Sequence, residues 1–68
     1  MPFDFAAEVW RLPAVKRVTQ LGRSTIYLYV SQGRFPPPIR LGVRAVGWRA
    51  TDVLRWIESR QVVGGETR

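Results

Sequence analysis

Pro36-Pro37-Pro38 stands near the middle of the chain, and no helix can run through it, because each proline ring removes a backbone donor and clashes with the preceding turn. The run therefore divides the sequence into a front part and a back part joined by extended backbone. Behind it, Ile39-Arg40-Leu41 places Ile39 and Leu41 on one side by period-2 alternation, and Val46-Gly47-Trp48 repeats that pattern. Between them, Gly42-Val43-Arg44-Ala45 has the length of a hairpin loop with a glycine and leaves Arg44 near its tip. Proline-rich segments also dock in aromatic grooves, but entry into a strand accounts for this run better. The sequence thus predicts a small β-hairpin, projecting as a wing.

The front part reads as two short helices. Pro13 suits the first helical position, where its missing N–H costs nothing, and Val15 and Val18 give an apolar i, i+3 stripe while Lys16 and Arg17 face water. Thr19-Gln20-Leu21-Gly22 reads as a tight turn, with Leu21 inward and Gly22 free to take unusual φ values. A second helix is expected from about Arg23 to Gln32, with Ile26, Tyr29 and Val30 on one face, ending at Gly33. Two short helices around a four-residue turn make a helix-turn-helix. After the hairpin, Val53, Trp56 and Ile57 fall at i, i+3, i+4 of a third helix from about Ala50 to Arg60, with Asp52 in the first turn where the helix dipole favours an acid. The fold class is mainly α with a small hairpin: a winged helix-turn-helix over residues 11–60. Residues 1–10 read as an extended lead-in whose aromatics cover part of the core, and residues 61–68 as a disordered tail.

A folded chain of 68 residues buries only about 60% of the surface its unfolded form exposes. Without cysteine or histidine it has neither disulfides nor the usual zinc ligands, so its core, with Trp48 and Trp56, has to suffice. No nucleophile and base pair and no metal cluster is visible, which argues against an enzyme and against a cofactor. No apolar run approaches a membrane span, and the start, acidic at Asp4 and Glu8, does not resemble a basic leader, so a cytoplasmic address is expected. The net charge is +6, and residues 11–49 hold eight basic groups and no acid. Arginine pairs bidentately with phosphate and with guanine edges, so this distribution points to a polyanionic partner rather than to a merely solubilising surface.

Four pieces in order carry a family resemblance: Arg11-Leu12-Pro13-Ala14-Val15, Gly22-Arg23-Ser24-Thr25-Ile26-Tyr27, Gly33-Arg34-Phe35-Pro36, and Val46-Gly47-Trp48-Arg49 ahead of Asp52-Val53 and Trp56-Ile57. Together they resemble the AlpA-type phage regulators, small relatives of the MerR-like winged helix and of phage excisionases. The resemblance implies DNA binding as a regulator of prophage or mobile-element genes, or as an excision factor that bends DNA beside an integrase. It differs at two places. Members usually carry serine where this chain has Gly22, a change that costs a few tenths of a kcal/mol at a helix N-cap. Leu28 falls where members often have a basic or polar residue; it narrows the base contacts or makes an apolar one, for instance with a thymine methyl.

The start of the second helix supplies Arg23, Ser24 and Thr25 to a dipole end that favours anions. Arg23 is expected on a guanine edge or a phosphate. Ser24 and Thr25 either approach the duplex closely or cap their own helix. Tyr27 either reaches a phosphate or is simply packed. In the wing, Arg40 and Arg44 are expected on flanking backbone or an adjacent minor groove, with a solvated arginine as the alternative for each. Lys16, Arg17 and Arg34 are peripheral phosphate contacts or solvated groups. The expected partner is double-stranded DNA, with an integrase or another regulator beside it. A rival reading is a protein-binding module using Leu28, Phe3 and Phe5. No spare apolar stripe is left for a partner helix, so the free protein is expected to be a monomer, with cooperative binding on DNA still open.

Overall fold

The computed structural model describes residues 8–63, and the expectations for Phe3, Phe5 and the last five residues lie outside them. The elements run β1 (Val9–Trp10), α1 (Leu12–Thr19), α2 (Arg23–Ser31), β2 (Ile39–Arg40), β3 (Val46–Arg49) and α3 (Ala50–Glu58). Three helices and a small antiparallel sheet of order β1-β3-β2 give the architecture of a winged helix-turn-helix.

Helix α1 begins one residue earlier than the sequence suggests. Leu12 is its first residue and Pro13 its second, still within the turn whose N–H groups have no helical partner. Val15 is fully buried but Val18 is 36% exposed, so the inward stripe runs from Leu12 through Val15 to Thr19 instead. Thr19 is accommodated there because its hydroxyl donates to the Val15 carbonyl at 2.7 Å and accepts from the Leu21 N–H at 3.2 Å. The turn corrects a second expectation. Its left-handed residue is Gln20, at φ 65°, whereas Gly22 at φ −80° has a backbone any residue adopts. Gln20 offsets this conformation with two hydrogen bonds, its N–H to the Lys16 carbonyl at 2.8 Å and its side-chain amide to the Arg17 carbonyl at 2.6 Å.

Helix α2 stops one residue short of Gln32, and Gly33, at φ 72°, ends it as expected. The Gly33 N–H bonds the Val30 carbonyl and the Arg34 N–H the Tyr29 carbonyl, the paired bonds of a Schellman motif that needs a left-handed residue at this position. The chain then passes Phe35, which is buried, and enters the proline run. Two tryptophans pin that passage: the Trp56 indole donates to the Arg34 carbonyl at 2.7 Å, and the Trp48 indole to the Pro36 carbonyl at 2.9 Å. Prolines that cannot donate are thus held through acceptors, the Pro36 carbonyl and that of Arg34 ahead of the run.

In the sheet Trp10 lies opposite Trp48 and Ile39 opposite Gly47. Strand alternation sets Ile39 and Leu41 on one face, as expected, but it is the face of Gly47 and Val9, away from Trp48. A Cβ on Gly47 would come within 2.7 Å of Val9 Cγ1 and 3.0 Å of both Leu41 Cδ1 and the Trp10 carbonyl, so the close approach of the outer strands requires glycine. The two-residue strand β1 was not foreseen; it turns the end of the lead-in into an edge of the sheet.

The core is Val15, Ile26, Phe35, Trp48 and Val53, drawn from all three helices, β3 and the segment before the prolines. Phe35 meets Trp48 and Trp56 edge to face, at 6.5 and 4.8 Å between centroids. Helix α3 ends two residues before the expected Arg60, which folds back with its guanidinium 4.4 Å from the centroid of Trp56. Trp56 is therefore half-buried at the core's margin rather than inside it.

Candidate nucleic-acid interface

The N-terminus of α2 is left open by its own sequence. Gly22 offers no side chain to cap it, and no acidic residue lies in its first turn. The first N–H groups of a helix have no partner within it and carry the positive end of its dipole, so an external anion is favoured there. Arg23 and Ser24 are exposed at this end and Thr25 is half-buried.

Arg23 is not a loose side chain. Its guanidinium lies 5.4 Å from the centroid of Tyr27, one turn on, and the Tyr27 ring meets the edge of Trp48 at 6.0 Å. The leading arginine of α2 is thus braced through Tyr27 on β3, the inner strand of the wing. This packing makes the Tyr27 ring a support of the site. The next residue, Leu28, turns to the outer side and is 52% exposed.

Arg34, beyond the end of α2, lies over Tyr29 at 5.3 Å and bonds the Gln32 side chain at 3.3 Å, so it is held against the far end of the same helix. Lys16 and Arg17 are exposed in the last turn of α1, where their charge also complements the helix dipole. In the wing, Arg40 donates to the Val43 carbonyl at 3.3 Å and so braces the loop that carries Arg44. Arg44 itself is exposed at the tip, beside Val43, which is 88% exposed.

Most of the predicted residues fall into two groups, with Lys16 and Arg17 on α1 and Arg34 beyond α2 outside them. Arg23, Ser24, Thr25, Tyr27 and Leu28 share α2, and Tyr27 links them to the wing strand; Arg40 at the end of β2 and Arg44 in the loop share the wing. Among the described contacts nothing joins Arg44 directly to Arg23. Arg11 and Arg49, both exposed, were not singled out by sequence, although their place in the acid-free run was the signal for them. Among the described residues no three His, Cys, Asp or Glu side chains gather as a metal site, and no helix is long and apolar enough to cross a membrane.

The model of a family described as prophage CP4-57 regulatory protein (AlpA) matches residues 8–61. Uncharacterized protein ORF88 of Enterobacteria phage P4 is 40% identical over 50 residues, which span 74% of this chain but only 57% of the phage protein. The DNA-binding transcriptional activator AlpA of Escherichia coli strain K12 is 34% identical over 61 residues, covering 81% of this chain and 87% of that protein. No solved structure matches the chain. The family match spans β1 through the end of α3 and takes in both groups of candidate residues, so the chain belongs to the AlpA family of prophage regulatory proteins.

Proposed function

We propose that this protein is a sequence-specific DNA-binding regulator of transcription for a prophage or mobile element, with α2 in the major groove and the β2–β3 hairpin on flanking backbone or the neighbouring minor groove. The observation that carries this reading is Arg23 at the acid-free start of α2, held over Tyr27. A held guanidinium loses less freedom on docking than a free one, and its planar fork matches guanine O6 and N7. The acid-free stretch with its eight basic residues and the likeness to a DNA-binding transcriptional activator of Escherichia coli support the same partner.

Arg44 at the wing tip serves as a phosphate or minor-groove contact, and Lys16, Arg17 and Arg34 add charge at the margins. Thr25 and Ser24 approach the backbone at the helix start. The free protein acts as a monomer in this reading. Selection of bound sequences from a random duplex pool at moderate salt tests it: a defined consensus is expected, with affinity falling steeply as salt rises. Failure to enrich any sequence, or binding indifferent to salt, would refute it.

A further inference from the structure

The outer face of α2 carries one large apolar side chain. The inner face is complete without it, since Ile26 is buried and Tyr29 and Val30 pack on the core. Leu28 stands instead among small residues: Ser24 precedes it by one turn, and Ser31 follows it by one. The Ser31 hydroxyl is turned back onto the Leu28 carbonyl at 2.7 Å, so it does not project beside the leucine. What remains in the middle of this face is a half-exposed, branched apolar end, with Gln32 the larger of the two neighbours one turn on. An isolated exposed leucine means little on a globular surface. Here it sits on the helix whose first turn is open to an anion, one turn beyond the N-terminal residues that a docked recognition helix presents to base edges.

In the major groove the one apolar group presented by a base is the methyl on C5 of a pyrimidine. We infer that Leu28 is a specificity-determining residue that reads a C5 methyl group, on thymine or on 5-methylcytosine, a short way along the groove from the base met by Arg23. This rests on the proposed placement of α2 in the major groove. The five positions from Arg23 to Leu28 advance about 7.5 Å along the helix axis, and base pairs are spaced about 3.4 Å apart. That advance is about two base-pair steps, and the turn of about 140° between the two positions sets Leu28 on a different strip of the helix from Arg23, so the methyl lies within a few base pairs of the base met by Arg23. Leucine cannot distinguish the two sources of the methyl by contact alone, so methylation of a cytosine at this position would substitute for thymine.

The test uses the full chain and the duplex selected from the random pool. Each thymine is replaced in turn by uracil, which removes the C5 methyl and keeps every hydrogen-bonding group. One position should lower affinity about fourfold, the worth of a single buried methyl-sized group. At that position cytosine should bind weakly and 5-methylcytosine should recover about the same factor. Leu28→Ala, at an exposed site, should fold normally by circular dichroism and bind the thymine and uracil duplexes alike. Equal binding of thymine and uracil duplexes by the parent protein at every position would overturn the inference while leaving the DNA-binding reading intact. A thymine preference that survives in Leu28→Ala would also overturn it, because another group would then read the methyl. If no duplex is selected at all, the functional reading itself fails.

Discussion

Helices α2 and α3 are both nine residues long, and each begins from an extended residue without a side-chain cap, but their faces are composed differently. In α3 the apolar side is Ala50, Val53, Trp56 and Ile57, Arg55 and Glu58 face water, and Asp52 sits near the positive end of the dipole. The charge and apolar preferences of that helix are met inside the chain, although its start too has no side-chain cap. In α2 the first residue is Arg23, unfavourable at the positive end of a dipole, no acid compensates it, and Leu28 lies on the wet side. On the proposed reading its preferences are met by an outside partner that is negative at one point and apolar at another. Local rules broken on one element and kept on its twin mark the element that works at a surface. Four measurements press on this difference.

The largest effect is expected at the support the two helices share. Trp48 is fully buried, touches Tyr27 of α2, bonds the Pro36 carbonyl and lies two residues ahead of α3. Trp48→Ala should cost about 3–5 kcal/mol, the range for truncating a buried aromatic. Small unstapled domains rarely hold more than about that. The variant should therefore be largely unfolded at room temperature, losing α2 and α3 together. A thermal melt followed by circular dichroism checks this, and a variant that melts like the parent would break the idea of a common support.

Next comes a pair of truncations, one on each helix. Val53 of α3 is fully buried, so Val53→Ala gives up much of the roughly 1.5–3 kcal/mol that burying such a side chain contributes. Leu28→Ala on α2 should change stability by no more than about 0.5 kcal/mol, as surface substitutions do. Urea titrations of both variants give the two values. Similar losses would mean that Leu28 supports the fold, and the contrast between the helices would disappear.

The same contrast explains how much of the molecule could be read from sequence. Gly33, the proline run, the hairpin loop and Asp52 were legible because each obeys a rule of a few consecutive residues. β1 was not, since two residues cannot display a period and Val9–Trp10 become a strand only by pairing with β3. Val18 and Thr19 exchanged places because a threonine satisfied by its own helix can face inward, a contact that periodicity does not weigh. Phe35 was visible only as part of a motif. Its place between Trp48 and Trp56 depends on side chains more than ten positions away. In the candidate site, the exposure of Arg23, Leu28 and Arg44 followed from helix phase and loop position. The brace of Arg23 on Tyr27 and the tie from Arg40 to the Val43 carbonyl did not, because each rests on a particular rotamer.

A third measurement separates the two basic groups. Arg23→Ala should remove about 1–3 kcal/mol of discrimination between the selected duplex and random duplex, the worth of one bidentate base contact. Arg44→Ala should weaken binding to both nearly alike and lower the magnitude of the salt slope by about one, since a phosphate contact is blind to sequence. Competition binding at several salt concentrations reads both quantities. If the wing variant lost discrimination and the helix variant kept it, the wing would be the reading element.

The smallest effect comes from giving α2 the cap it lacks. A Cβ at Gly22 meets nothing within 4 Å, and the backbone there, φ −80° and ψ 167°, suits a capping serine. Serine exceeds glycine at an N-cap by a few tenths of a kcal/mol. For a domain of this size that corresponds to a rise of about 1–3 °C in Tm, resolvable by calorimetry. The serine hydroxyl accepts from the N–H of the second or third helical residue, so it occupies a donor that would otherwise face an anion. Gly22→Ser should raise stability slightly while leaving sequence preference unchanged, because the proposed reading puts that preference in Arg23 and Leu28 rather than in the backbone. Should the substitution lower Tm, the open start of α2 would not be a missing cap but a conformation that needs glycine.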